Sequence, residues 1–240
     1  MLHFSTRLGL TFCYGKLMAN NNKMEYVYCS GPLFCPEELG GMTAIANVLE
    51  EAGYGAFLPH RDGLEAYMMK MVDSPLNINL FNSRDMVSKA IFALDVYQIV
   101  ERCDYFVFNM NGRVPDEGGV AETAIAYSAG KPIVIYKNDA RTAFNGSDNA
   151  MVSCLAHSAR VSDIKKIPKE LKIVSNRFKK LGESPYKGDN IPPVMRDTLK
   201  LGRNIWKVMN AIISKKDNRK SVSDLVSQIA EICKNHPGII

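Results

Sequence analysis

The chain has 240 residues, 46% of them hydrophobic and 23% charged, the balance of a soluble globular protein with one large domain or two small ones. No run approaches eighteen apolar residues, which excludes a spanning helix, and the periodic apolar segments exclude a mainly disordered chain. The net charge of +5 is uneven: residues 1–158 hold 12 Lys/Arg against 17 Asp/Glu, and residues 159–240 hold 18 against 8.

Residues 1–23 read as a disordered extension, with Met18 and Met24 as alternative starts. Arg7, Lys16 and the absence of acids leave an organelle-targeting reading open. From residue 24 the pattern is regular. Tyr26–Ser30 is a β-rich run ended by Gly31-Pro32. Apolar positions 42, 45, 48 and 49 predict a helix over Glu37–Ala52, stopped by Gly53. A second strand follows at Gly55–Leu58, closed by Pro59. Residues 60–84 are a long irregular stretch of the kind that is usually functional.

Met86–Cys103 is predicted helical, Tyr105–Met110 a strand, Gly118–Ala129 a small-residue helix and Pro132–Tyr136 a fourth strand. Strands alternating with helices predict an α/β fold, a Rossmann-like or flavodoxin-like doubly wound parallel sheet with its ligand crevice beyond the carboxyl ends of the strands. That fold is expected over residues 24–164. After about residue 165 the alternation stops, and residues 165–240 read as a basic helical appendage. Its helices span 194–213, with the single tryptophan Trp206, and a segment opened by Ser221 and Asp224. The positive charge reads as a solvated helical face. No aromatic-interleaved recognition motif accompanies it, so no nucleic-acid partner is expected.

The six cysteines form no C-x-x-C pair and the four histidines lie far apart, so no metal site is written in the sequence. Thiols at this low density suit a reducing, cytoplasmic compartment.

The most informative stretch runs from Asn111 to Glu122, joining the third strand to a helix at the predicted crevice. Asp116 lies near the helix cap and Glu122 about one turn in. A helix N-terminus there favours an ionised carboxylate, as a carboxylate nucleophile requires. The alternative is a cap and an exposed helix residue. Asp95 shares a ridge with Ile91 and Ile99, where a carboxylate is costly unless paired or used; otherwise it is a surface residue near Arg102. His60-Arg61-Asp62-Gly63 follows the second strand. It serves either to recognise a base or sugar hydroxyl, or as a local turn held by an Arg–Asp pair. Met68, Met69 and Met71 are a flexible lid or core filling.

In order along the chain come Val27-Tyr28-Cys29-Ser30-Gly31-Pro32-Leu33-Phe34, Asp95 ahead of Cys103-Asp104, Gly112 to Asp116 with Glu122, Gly130-Lys131-Pro132, and Asn149-Ala150-Met151. In that order and spacing, over roughly residues 24–158, the sequence resembles the nucleoside 2-deoxyribosyltransferases. The resemblance implies that Glu122 is the nucleophile that takes the deoxyribosyl group and that Asp95 and Asp116 contact and protonate the departing base. It further implies that Tyr28 orients Glu122 and that Gly31 and Phe34 line the pocket. Asn149 and Met151 would reach a neighbouring subunit's pocket in a homo-oligomer with shared sites; the alternative is that Asn149 caps a short helix and Met151 packs against its own domain. The implied partners are a 2′-deoxynucleoside and a free nucleobase, with no metal or organic cofactor and no membrane. Two departures stand out: Glu122-Thr-Ala-Ile-Ala replaces the usual Glu-Leu-Gly-Tyr-Ala, and the chain runs some eighty residues beyond the family's short members. Two rival functions remain. One is hydrolysis of nucleoside 5′-monophosphates, with Ser30, Arg61 and the helix start after Pro36 as phosphate ligands; the other is a non-catalytic nucleotide sensor.

Overall fold

The computed structural model describes residues 23–67, 84–112, 114–141, 147–157, 159–181, 191–213 and 220–236. Apart from Lys23, the predicted extension lies outside them, as do Arg113 and the cluster of Met68, Met69 and Met71.

The run of aromatic and β-branched residues after Glu25 forms β1 (Tyr26–Ser30). It is joined by β2 (Gly55–Phe57), β3 (Tyr105–Asn109), β4 (Ile133–Tyr136) and β5 (Arg160–Val161), all parallel, in the order 2-1-3-4-5. This is the flavodoxin-like order, and it reverses between β1 and β3. The doubly wound parallel sheet is therefore as predicted. The fifth strand is new, since two residues are too few for an alternation to register.

Pro36 and two glutamates in the first turn begin α1 (Pro36–Glu51), which buries Met42, Ile45, Ala46 and Leu49 against the sheet. Pro59 starts the short α2 (Pro59–Asp62) inside the stretch expected to be irregular. The next helix, α3 (Arg84–Tyr97), ends in a π-helical turn at Gln98–Arg102. The glycine-rich loop after β3 leads into α4 (Glu117–Ser128), and α5 (Ala150–Ser153) is a single turn.

The sequence reading placed a boundary at residue 165, but packing runs straight through it. Residues 167–181 form a helix that was not predicted, α6 (Ile167–Leu181). Its Ile167, Leu171, Val174 and Phe178 belong to the same core as the sheet. The lysines of this helix are exposed, as a solvated face requires. The two later helices, α7 (Pro193–Ile213) and α8 (Lys220–Lys234), are helical as expected but do not stand apart. Leu201, Ile205, Met209, Leu225 and Ile229 share one apolar cluster with Ala90, Ala93 and Leu94 of α3. The approach of α7 to α3 is close: a Cβ on Gly202 would lie 2.0 Å from the Ala93 carbonyl oxygen. Arg102 is sandwiched between the rings of Tyr26 and Trp206, at 4.2 and 4.6 Å from their centroids.

Candidate active site

Alternation along β1 puts Tyr28 and Ser30 on one face of the sheet, and register fixes their neighbours. Phe57 and Phe106 stand directly opposite Tyr28 on the two flanking strands, and both rings stack on it, at centroid separations of 5.4 and 5.5 Å. Trp206 of α7 meets Phe57 edge-on at 6.0 Å. The fully buried Tyr28 ring is thus immobilised, with only its hydroxyl left to act.

That hydroxyl donates to Oε1 of Glu122 at 2.8 Å, and the Ser30 hydroxyl donates to Oε2 at 2.5 Å. Glu122 reaches them because α4 lies almost on the sheet. A Cβ on Gly119 would fall 2.4 Å from the Phe108 ring and 3.1 Å from Ser30 Oγ. Asp116 caps the helix, accepting the Gly119 N–H at 2.6 Å. The site therefore sits at the point where strand order reverses, as the fold requires.

Burial pushes the Glu122 carboxyl up to about 7, with the Glu65 and Asp116 charges acting in the same direction, while its two hydroxyl donors pull it down. This corrects the expectation that the helix N-terminus keeps Glu122 ionised. Glu122 is the sixth residue of α4, beyond the first turn where that field is felt. Burial and the neighbouring charges of Asp95, Glu122 and Glu65 raise the Tyr28 hydroxyl well above its ordinary value, so it remains a donor. Asp95, 8% exposed, is the buried carboxylate of the two readings rather than the surface one. Burial first, then the charges of Glu65 and Glu122, holds it well above the usual carboxylate range.

Two adjoining pockets meet at Glu122. The larger, about 580 Å³, is lined by Gly31, Phe34, His60, Glu65 and Asp116, among others; the smaller, about 330 Å³, by Asp95, Ile91 and Ile99. Volumes of this size suit a small organic ligand. Phe34 is 85% exposed at the rim. Burial lowers the His60 pKa, and its Nδ1 is buried without a hydrogen-bond partner among the described residues. Among the described residues, no group of His, Cys, Asp and Glu is arranged to hold a metal, and no helix is long and apolar enough to cross a membrane.

Arg61 and Asp62 do not line either pocket. Arg61 pairs with Glu50 and Asp62 at 2.9 Å each and donates to the Ala56 carbonyl, while Asp62 accepts the Leu58 N–H. This is the local turn held by an Arg–Asp pair. Asn149 caps α5, accepting the Met151 N–H, and Met151 is 79% exposed. Neither lines its own chain's pockets. Asp148, just before them, is anchored by Lys137 at 2.5 Å and Arg160 at 2.6 Å.

Sequence reasoning missed Ser30 as a ligand of Glu122, although the two-residue period from Tyr28 places it on the same face. It missed Glu65 altogether, because no periodicity marks the stretch in which that residue lies.

A family model described as nucleoside 2-deoxyribosyltransferase matches residues 27–170. No curated protein matches the chain. Among solved structures, a conserved protein from Enterococcus faecalis V583 is 19% identical, with a TM-score of 0.47, over 63% of this chain and 99% of its own.

Proposed function

Because this chain belongs to the nucleoside 2-deoxyribosyltransferase family, we propose that it exchanges the base of 2′-deoxyribonucleosides by two displacements at Glu122. The observation that carries this reading is a carboxylate held by two hydroxyls at the meeting point of two pockets, with Asp95 and Asp116 among the further carboxyls lining them. Breaking the C1′–N bond passes through an oxocarbenium-like state, which the missing 2′-hydroxyl makes easier to reach. One oxygen of Glu122 attacks C1′, Asp95 or Asp116 protonates the departing base, and a covalent sugar ester results. An incoming base then attacks from the vacated face, giving net retention.

Tyr28 and Ser30 fix the attack trajectory and favour the ionised nucleophile against the burial that disfavours it. With its carboxyl near 7, Glu122 is about half ionised at neutral pH. The ring of Phe34 and the apolar Ile91 offer a base two surfaces to lie against. Asn149 and the exposed Met151 complete the pocket of a neighbouring copy in a homo-oligomer. Their fixed, outward placement on their own chain supports that reading.

Hydrolysis of nucleoside 5′-monophosphates is less well supported. Ser30 is engaged by Glu122 and Arg61 by Glu50. At the start of α1, the Phe34 N–H is taken by Glu38, and acidic residues fill the first turn. All three proposed phosphate ligands are thus occupied.

Incubation with deoxyinosine, with and without free adenine, tests the reading. Formation of deoxyadenosine, and a deoxyribosyl adduct on the Glu122 peptide, is expected. Free sugar regardless of adenine would support the hydrolase, and no turnover at all the sensor.

A further inference from the structure

Glu65 follows α2 and lines the larger pocket, and Asp95 lies on α3 and lines the smaller. Their chain neighbours Leu64 and Leu94 are buried in one apolar cluster with Ile205 and Met209 of α7, which pins the two segments together. The two carboxyl groups are near enough for the charge of Glu65 to raise Asp95. One oxygen of each, Glu65 Oε2 and Asp95 Oδ1, is fully buried without a hydrogen-bond partner among the described residues.

Two buried carboxyls side by side disfavour a second ionisation once one of them is charged. No cation among the described residues compensates them. Arg61 turns away to Glu50, and Arg203 of α7 pairs with Glu101 at 2.5 Å, beyond the end of α3. His60, beside Glu65 in the pocket, is disfavoured as a cation by burial. The groups that do face the pair are Tyr28 from β1 and Glu122 from α4, with Asp116 beyond Glu122; the first is neutral and the others add negative charge.

We propose that Glu65 is a positioning residue that shares one proton with Asp95 and so keeps Asp95 in its acid form until a base departs. This deepens the transferase reading and rests on it. In the first displacement, an electron pair of Glu122 forms the C1′–O bond while the C1′–N pair passes to the base nitrogen, which takes the shared proton from Asp95. Glu122 loses its negative charge as an ester, and the Asp95–Glu65 pair gains one, so the total over the three carboxyls is unchanged. In the second displacement the incoming base gives its N–H proton back to the pair as Glu122 departs. The total charge of the buried site therefore does not change in either displacement, and a change of charge in low dielectric is the costly event.

The test is a carboxyl-carbon NMR titration of protein labelled at aspartate, with the Asp95 signal assigned by Asp95→Asn. In the wild type, Asp95 should titrate well above the ordinary carboxylate range. Glu65→Gln removes the neighbouring charge and should bring that titration down by about one pH unit or more, whereas Glu65→Asp should leave it high. In exchange kinetics, the basic limb of kcat/KM should fall by the same amount in Glu65→Gln. A 7-methylated purine deoxynucleoside, whose base leaves without taking up a proton, should be turned over at a near-parental rate. An ordinary Asp95 titration in the wild type, an unmoved one in Glu65→Gln, or equal losses on both substrates would overturn the proposal. If the wild type exchanges no bases, the transferase reading fails, while the titration still decides whether the proton is shared.

Discussion

Replacing Glu122 with Gln should make the protein more stable, and only on the alkaline side. Moving this carboxyl from its ordinary 4.5 to about 7 means that the folded protein binds a proton the unfolded chain has already released. Between those two values stability therefore falls as pH rises, and above 7 the whole cost, about 3 kcal/mol, is present. A neutral amide of the same shape carries no such cost and still pairs with both hydroxyls, accepting from one and donating to the other. It also removes the charge that raises Asp95, a relief of the same sign. Urea unfolding of the two proteins at pH 4.5 and pH 8 reads this directly. The expected gap is within about 0.5 kcal/mol at the lower pH and about 2–3 kcal/mol in favour of the variant at the higher. The same variant should lose base exchange, since the destabilising carboxylate is the proposed nucleophile. A gap that does not change with pH, or a wild type that is the more stable at pH 8, would refute the assignment of this cost to Glu122.

Tyr28→Phe removes one donor to a charged acceptor, a loss of about 1.5–3 kcal/mol. The acid limb of the exchange rate should therefore rise by about one to two pH units, with a roughly tenfold deficit at pH 7 that recovers by about pH 9; a uniform loss at all pH values would contradict this. Gly119→Val should push α4 off β3, costing about 1–3 kcal/mol in thermal or urea unfolding and about a hundredfold in exchange; parental values of both would show that the close approach is not needed. Trp206→Ala, at a half-buried ring, should cost at most about 3 kcal/mol and raise the fluctuation of Phe57 and Tyr28, visible as broadened aromatic NMR signals. Mixing inactive Glu122→Ala chains with inactive Asn149→Ala chains should regenerate exchange in mixed oligomers, and a fully active wild type that sediments as a monomer would defeat the shared-site reading.

The parts of this site that were readable in the sequence are those fixed by short-range rules. The strand at Tyr26–Ser30, its stop at Gly31-Pro32, and the position of Asp116 ahead of a glycine-led helix follow from periodicity and turn chemistry. Asp95 was legible as an anomaly on an apolar ridge. The apolar residues of α6 at 167, 171, 174 and 178 also form a helical stripe that is legible in the sequence beneath the surrounding lysines. Other features were out of reach. Whether Arg61 turns toward a pocket or toward Glu50 depends on α1 lying alongside, a contact that local spacing does not encode. Glu65 acquires its role only from meeting Asp95, thirty residues away. The pKa of Glu122 depends on how deeply α4 settles against β3, which the hydrogen of Gly119 permits but does not announce.

The docking of α7 has a consequence for how the protein is made. Synthesis runs from the amino terminus, and a ribosome that has released residue 170 has delivered the whole family-matched segment, including Tyr28, Asp95 and Glu122. At that moment Ala90, Ala93 and Leu94 still lack the Leu201, Ile205 and Met209 side chains that bury them, and Phe57 lacks Trp206. The nascent chain thus holds its chemical groups before it holds the wall that steadies them. Its exposed helix face is an apolar surface available to wrong partners until Leu201, Ile205 and Met209 emerge. Packing of the family-matched segment is therefore completed by residues made after it, not at the point where the recognisable segment ends.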